Sequence, residues 1–220
     1  MCLCLGLGPV LMRCVNYIGA IPSASAKIQA LEKAVDAPQL KNGGEAFLGK
    51  GFDVAFSDVR FSYGDAEALK GVSFVARQNQ VTALVGESGS GKSTLGRLVA
   101  HHYDLEKGDL TIGGQRIDEM SPEAHSATVS YVSQDLFLFN DTIRENIRIG
   151  RPDATDAQVE AAATAARCDF IHEFDRGFDE RAGSEGARLS GGQKQRIAFA
   201  RAILKDAPVI VLDEATAFVD

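Results

Sequence analysis

The sequence predicts an α/β fold built on a mostly parallel sheet. Two observations point there. Strand-like segments alternate with helical ones, and the apolar strands lack a period-two pattern; "VIVL" near the C-terminal end is apolar at every position. Such strands suit a sheet covered by helices on both faces. The 220 residues, 45% hydrophobic and 24% charged, suit one large domain or one and a half small ones. A net charge of −7 argues against a nucleic-acid partner, because a phosphate backbone needs a basic footprint. It leaves room for a nucleotide, which needs only a few local cations and N–H groups. Cys2, Cys4, Cys14 and Cys168 show neither metal-ligand spacing nor a disulfide framework, as in a reducing compartment.

In chain order, "MCLCLGLGPVLMRCVNYIGAI" is mostly apolar but contains Pro9, Arg13 and Asn16. A spanning helix wants about 20 apolar residues. A signal peptide would carry its basic residue before the apolar stretch; Ala24 and Ala26 supply only an A-x-A pattern. The third reading, preferred here, is the tail of a membrane helix over residues 1–22. Residues 23–50 read as a linker: Ile28, Leu31 and Val35 have helical spacing, and "DAPQLKNGGEAFLGKG" is polar with Gly and Pro. The main domain is expected over residues 51–220. "FDVAFSDVRFSY" and "EALKGVSFVA" have strand character, "QVTALVG" is a short apolar run, and "GDLTIGGQRI" is hairpin-like. "TVSYVSQDLFLF" holds another strand, and residues 141–174 turn helical, with Thr155 and Gln158 spaced as a capping box. "SGGQKQRIAFARAILKD" is a Gly-started helix that stops before Pro208.

"GESGSGKST" fits G-x-x-x-x-G-K-[ST], with Gly86, Gly91, Lys92 and Ser93 in register. Glycines let backbone N–H groups wrap round phosphates without a Cβ in the way. The helix that follows points its positive dipole end at the same anion. The loop, from Gly86 through Ser88, Gly89, Ser90, Gly91, Lys92 and Ser93 to Thr94, is therefore the candidate ATP phosphate site. Lys92 would neutralise phosphate charge, and the Ser93 hydroxyl would ligate Mg²⁺. Asp213 and Glu214 end the apolar strand, at the sheet edge where ligands bind. Asp213 suits Mg²⁺, and Glu214 suits polarising the attacking water. A surface pair or helix cap is the bland alternative for these carboxylates, a minority reading beside a phosphate loop. "LSGGQ", from Leu189 through Ser190, Gly191 and Gly192 to Gln193, offers a second anion cradle at a helix start. Its bland alternative is a Ser N-cap.

Phosphate loop, LSGGQ and "VIVLDEAT" in this order resemble the ATP-binding cassette (ABC) family, over about residues 52–220. The resemblance implies a P-loop NTPase core with a mostly parallel sheet, an N-terminal antiparallel β subdomain and an inserted helical subdomain. It implies two cassettes, in a homo- or heterodimer, that sandwich two nucleotides head to tail, each signature facing the partner's phosphate loop. Tyr63 matches the aromatic that stacks on adenine. Gln134 matches the glutamine near Mg²⁺ and the attacking water, with Phe137 and Phe139 positioned to dock a coupling helix. Asp220 matches the aspartate of a loop that crosses to the partner cassette. "NDTIRENIRIG" and "FSYGDAEALKGVSF" look like the exporter-type branch, in which cassette and transmembrane domain share a chain. That places the cassette at the cytoplasmic face of the cell's inner membrane. "ATAFVD" departs from the commoner S-A-L-D ending and is similar to exporter-fold proteins that handle iron–siderophore complexes.

Two departures stand out. The family often has Gly-Glu shortly before the signature; here Ser184 takes the glutamate position and Glu185 follows. The family's switch histidine follows the carboxylates, whereas His101, His102, His125 and His172 all precede the signature. The expectation is a cassette cut at both ends, with a central strand missing between the phosphate-loop and carboxylate strands. Such a chain should hydrolyse ATP poorly alone. The alternatives are an inactive fragment or a soluble ABC ATPase outside transport. A GTPase is disfavoured, because no N-K-x-D base-reading motif occurs.

Overall fold

The computed structural model describes residues 25–29, 40, 41 and 43–213. Two units are present, residues 1–40 and 41–220. In the first, residues 25–29 are helical, inside the segment whose apolar spacing predicts a helix. The apolar stretch over 1–22 lies outside the described residues. No described helix is long and apolar enough to cross a membrane.

In the second unit, β1 (Val54–Tyr63) and β2 (Ala66–Ala76) form a hairpin. Its two-residue tip is Gly64-Asp65, with Gly64 at φ +60°, the left-handed conformation such tips require. β3 (Lys107–Ile112) pairs with the other side of β1, and β4 (Gln115–Arg116) completes an antiparallel sheet of order β2-β1-β3-β4. Val54, Phe56, Val59 and Phe61 of β1 are buried. The step of three between Phe56 and Val59 breaks the period of two, and a bulge there absorbs it. Asp58 takes φ +45° in that bulge and donates its N–H to Ser73 Oγ at 2.8 Å. These side chains share a core with Leu95, Leu98 and Val99 of helix α1 (Lys92–Val99).

Helix α2 (Pro122–Thr128) starts on Ser121, whose Oγ accepts from Ala124 N, with Pro at the first position. It leads into β5 (Val129–Val132), which pairs in parallel with β6 (Val209–Leu212), from Val129 opposite Val209 to Val132 opposite Leu212. The long crossover between them carries α3 (Ile143–Arg148), α4 (Asp156–Ala165) and α5 (Gly191–Lys205). These helices enclose a separate core of Leu138, Ile147, Val159, Ile171, Ile197 and neighbours. Thr155 and Gln158 do form a capping box at the start of α4.

One expected element is missing. Residues 81–85 of "QVTALVG" form no strand among the described residues, and Val81 and Val85 are 100% and 93% exposed. A strand needs a neighbour to take its backbone groups. None lies within reach here: between this segment and the free side of β6 is a cleft of about 540 Å³, lined by Leu84, Leu95, Val99, Val209, Val211 and others.

Candidate functional site

The glycine-rich loop runs from Gly86 to Gly91 and ends in α1. Gly91, at φ +90°, is the N-cap, and a Cβ there would lie 2.6 Å from Leu69 Cδ2 and 2.9 Å from Ala68 O. Only glycine fits between the loop and β2. Gly89 also has positive φ, +80°. Lys92 folds back over the loop: its Nζ donates to Gly86 O at 2.9 Å, Glu87 O at 2.7 Å and Ser90 Oγ at 3.4 Å. One cation thus sits inside a ring of loop atoms. Ser88 is exposed and Thr94 buried, the latter anchoring the first turn of α1 beneath the loop.

The carboxylate strand meets this helix. The backbone N–H of Asp213 continues the ladder to Val132 O at 3.0 Å, just beyond β6. Its side chain is 8% exposed. Ser93 Oγ donates to Asp213 Oδ1 at 2.7 Å, although 120 residues separate them. A hydroxyl and a carboxylate therefore converge under a cationic, N–H-rich loop. Hard oxygen donors of this kind fit Mg²⁺. Glu214 and Asp220 lie outside the described residues.

Tyr63, 38% exposed at the hairpin tip, belongs to an aromatic cluster. Its ring lies edge-on to Phe61 at 4.9 Å and to Tyr103 at 5.3 Å. The cluster offers an aromatic surface to solvent, as base stacking requires. Gln134 is exposed in the loop after β5. Phe137 and Phe139, just beyond, are 53% and 54% exposed and meet edge-on at 5.0 Å.

The signature stretch opens α5. Ser190 Oγ accepts from Gln193 N at 3.2 Å, and Gln193 Oε1 accepts from Ser190 N at 2.9 Å. This reciprocal capping box satisfies two helix-start donors. Ser190 is exposed, and Gly191 and Gly192 are half-buried. Leu189 is buried in the helical core. Signature and phosphate loop thus stand on different hydrophobic cores. The short turn before the signature, Ser184–Gly186, places Glu185 at φ +52°, and Lys194 Nζ donates to its carbonyl at 3.0 Å.

A family model described as "ABC transporter" matches residues 69–217, which contain the phosphate loop, the signature and Asp213. The chain belongs to the ABC transporter family. The sub-family B member 6 cassette protein of Xenopus tropicalis is 45% identical over 197 residues, which is 87% of this chain and 22% of that one. The mycobactin import ATP-binding/permease protein IrtB of Mycolicibacterium thermoresistibile is 40% identical over 204 residues, 91% of this chain and 35% of that protein. A solved bacterial Atm1-family ABC exporter with ATP bound aligns with TM-score 0.81 and 36% identity, over 96% of this chain and 39% of that one. The chain thus spans a fifth to two fifths of the ABC proteins it matches and corresponds to their exporter-type ATP-binding domain.

Three residues near the ABC site escape motif reading. Tyr131 OH donates to Asp213 Oδ2 at 2.8 Å. The neighbouring Tyr63 and Tyr131 side chains raise the Arg97 pKa. Arg201 of α5 hydrogen-bonds Phe137 O at 2.7 Å in the loop after Gln134. A polar aromatic inside the apolar strand "VSYV", and an arginine five residues after Lys92 on α1, are the only sequence signals for the first two.

Proposed function

We propose that this cassette binds ATP with Mg²⁺ and hydrolyses it in a head-to-tail pair with a second cassette. The pair would drive transport through a transmembrane domain, at the cytoplasmic face of a membrane. One observation carries the reading: the Ser93–Asp213 contact at 2.7 Å, directly under the Gly86–Lys92 loop. The loop N–H groups and Lys92 would hold the phosphates, with Nζ leaving the loop carbonyls for the stronger anionic acceptor. Ser93 and Asp213 would hold Mg²⁺, with Gln134 approaching it. When bound, the ion would neutralise phosphate charge.

Glu214 would accept a proton from the attacking water, which Gln134 helps to orient. Tyr63 would stack on adenine. Leu189, Ser190, Gly191, Gly192 and Gln193 would close over the nucleotide of the partner, which explains two anion cradles on two cores of one chain. Asp220 would cross to that partner. Exposed Phe137 and Phe139 provide an apolar seat for the transmembrane domain.

The test is ATP turnover of the purified chain with Mg²⁺, alongside equilibrium nucleotide binding. Glu214→Gln should lower turnover by about 100-fold or more while nucleotide binding stays intact. Equal turnover in the variant would remove Glu214 from the mechanism. Turnover strictly proportional to protein concentration across the dilution range would argue against the paired arrangement.

A further inference from the structure

Both oxygens of the Asp213 carboxylate are engaged, from two different elements. Ser93 on α1 donates to Oδ1 at 2.7 Å, and Tyr131 on β5 donates to Oδ2 at 2.8 Å. Tyr131 pairs with Val211 in the parallel ladder, two residues before Asp213. Its ring is wedged on two sides. A Cβ built at Gly96 of α1 would lie 3.5 Å from Tyr131 Cε2, and the His102 ring meets it edge-on at 5.1 Å. The hydroxyl therefore has a fixed place relative to the end of β6.

We propose that Tyr131 is a positioning residue: its hydroxyl holds Asp213 Oδ2, so that Oδ1 stays turned toward Ser93 at the divalent-cation position. This rests on the reading that Ser93 and Asp213 hold Mg²⁺. A carboxylate on a strand end can rotate about its terminal torsion, which is broad. A second donor opposite the first removes that freedom before the cation arrives, as neighbours of metal ligands commonly do. A phenol keeps its proton at neutral pH, so the Tyr131 hydroxyl is available to donate to Asp213.

Tyr131→Phe keeps the ring against Gly96 and His102 and removes only the donor. The experiment measures affinity for a fluorescent ATP analogue in excess EDTA and in saturating Mg²⁺, with thermal melting to check the fold. Wild type should bind more tightly with Mg²⁺. Tyr131→Phe should lose about ten-fold of that Mg²⁺-dependent gain, the worth of one hydrogen bond to a charged group at its lower end. Its EDTA affinity should match wild type, which a purely packing role would not produce, and a single cooperative melt shows that the variant is folded.

An unchanged Mg²⁺ gain in Tyr131→Phe overturns the proposal, as does an equal fall of both affinities. Asp213→Asn separates the two levels. If Asp213→Asn abolishes the gain and Tyr131→Phe does not, only the positioning role fails. If Asp213→Asn also leaves the gain intact, or wild type has none, the metal-site reading fails and this inference with it.

Discussion

At the scale of single residues, Lys92 shows how a loop can be ordered around its own ligand-binding cation. Its three donors are spent on Gly86 O, Glu87 O and Ser90 Oγ, all within one loop. A phosphate would replace these neutral acceptors with charged ones, and charge-assisted bonds are roughly twice as strong. Lys92→Ala should therefore weaken ATP binding by about 100-fold, since charged hydrogen bonds contribute on the order of 1.5–3 kcal/mol each. Isothermal titration checks it; unchanged ATP affinity would mean the loop is not the phosphate site. Motif spacing singles out Lys92, Ser93 and Asp213, and folding brings the Ser93 hydroxyl within 2.7 Å of Asp213 Oδ1. Tyr131 was not legible in this way: its partner is 82 residues away, and only folding brings them together. Ser190 is the N-cap that its plainer reading expects, sharing a reciprocal capping box with Gln193.

At the scale of elements, the helical part is tied to the loop after β5 by one buried asparagine and one arginine. Asn146 of α3 is 0% exposed. Its Nδ2 donates to Phe139 O at 3.0 Å and Thr142 O at 2.9 Å, and its Oδ1 accepts from Phe139 N at 2.9 Å. Arg201 of α5 donates through Nη2 to Asn146 Oδ1 at 2.7 Å, through Nε to Asn146 O at 2.6 Å and through Nη1 to Phe137 O at 2.7 Å. Burial pulls the Arg201 guanidinium down to about 10, yet it stays charged at neutral pH. The signature helix and the Phe137–Phe139 loop are thus joined by hydrogen bonds through Arg201 and Asn146. Arg201→Leu would strand several carbonyls and the Asn146 amide, each unsatisfied group costing about 1–3 kcal/mol. The expected loss is on the order of 3 kcal/mol in urea unfolding, with Arg201→Lys losing less. A loss under about 0.5 kcal/mol, the range of ordinary surface changes, would remove the hub. The sequence showed these helices through the helical pattern over residues 141–174, the Thr155–Gln158 capping box and the glycine start of α5. The hub was hidden because Asn146 reads as a polar surface residue in "RENIR".

At the scale of the whole molecule, local patterns were legible where neighbours in sequence supply the partner and illegible where a distant strand must. The hairpins β1–β2 and β3–β4 followed from Val- and Phe-rich runs and glycine turns, and β6 from its four apolar residues. "QVTALVG" has the same apolar signal as β6, yet forms no strand. Pairing, not propensity, decides a strand, because every ladder N–H and C=O needs an acceptor or donor. Here the cleft of about 540 Å³ separates residues 81–85 from β6, and Ile210 and Leu212 remain 49% and 54% exposed. Hydrogen exchange tests this arrangement directly. Backbone amides of residues 81–85 should exchange at nearly the unprotected rate, since no described residue accepts from them. Amides paired between β1 and β2, whose core includes fully buried Val59 and Leu69, should be slower by at least about 100-fold. Protection of 81–85 equal to that of the β1–β2 ladder would show that the segment is hydrogen-bonded in a sheet after all. The cleft would then be closed in solution, and the phosphate loop would hang from a strand rather than from α1 alone.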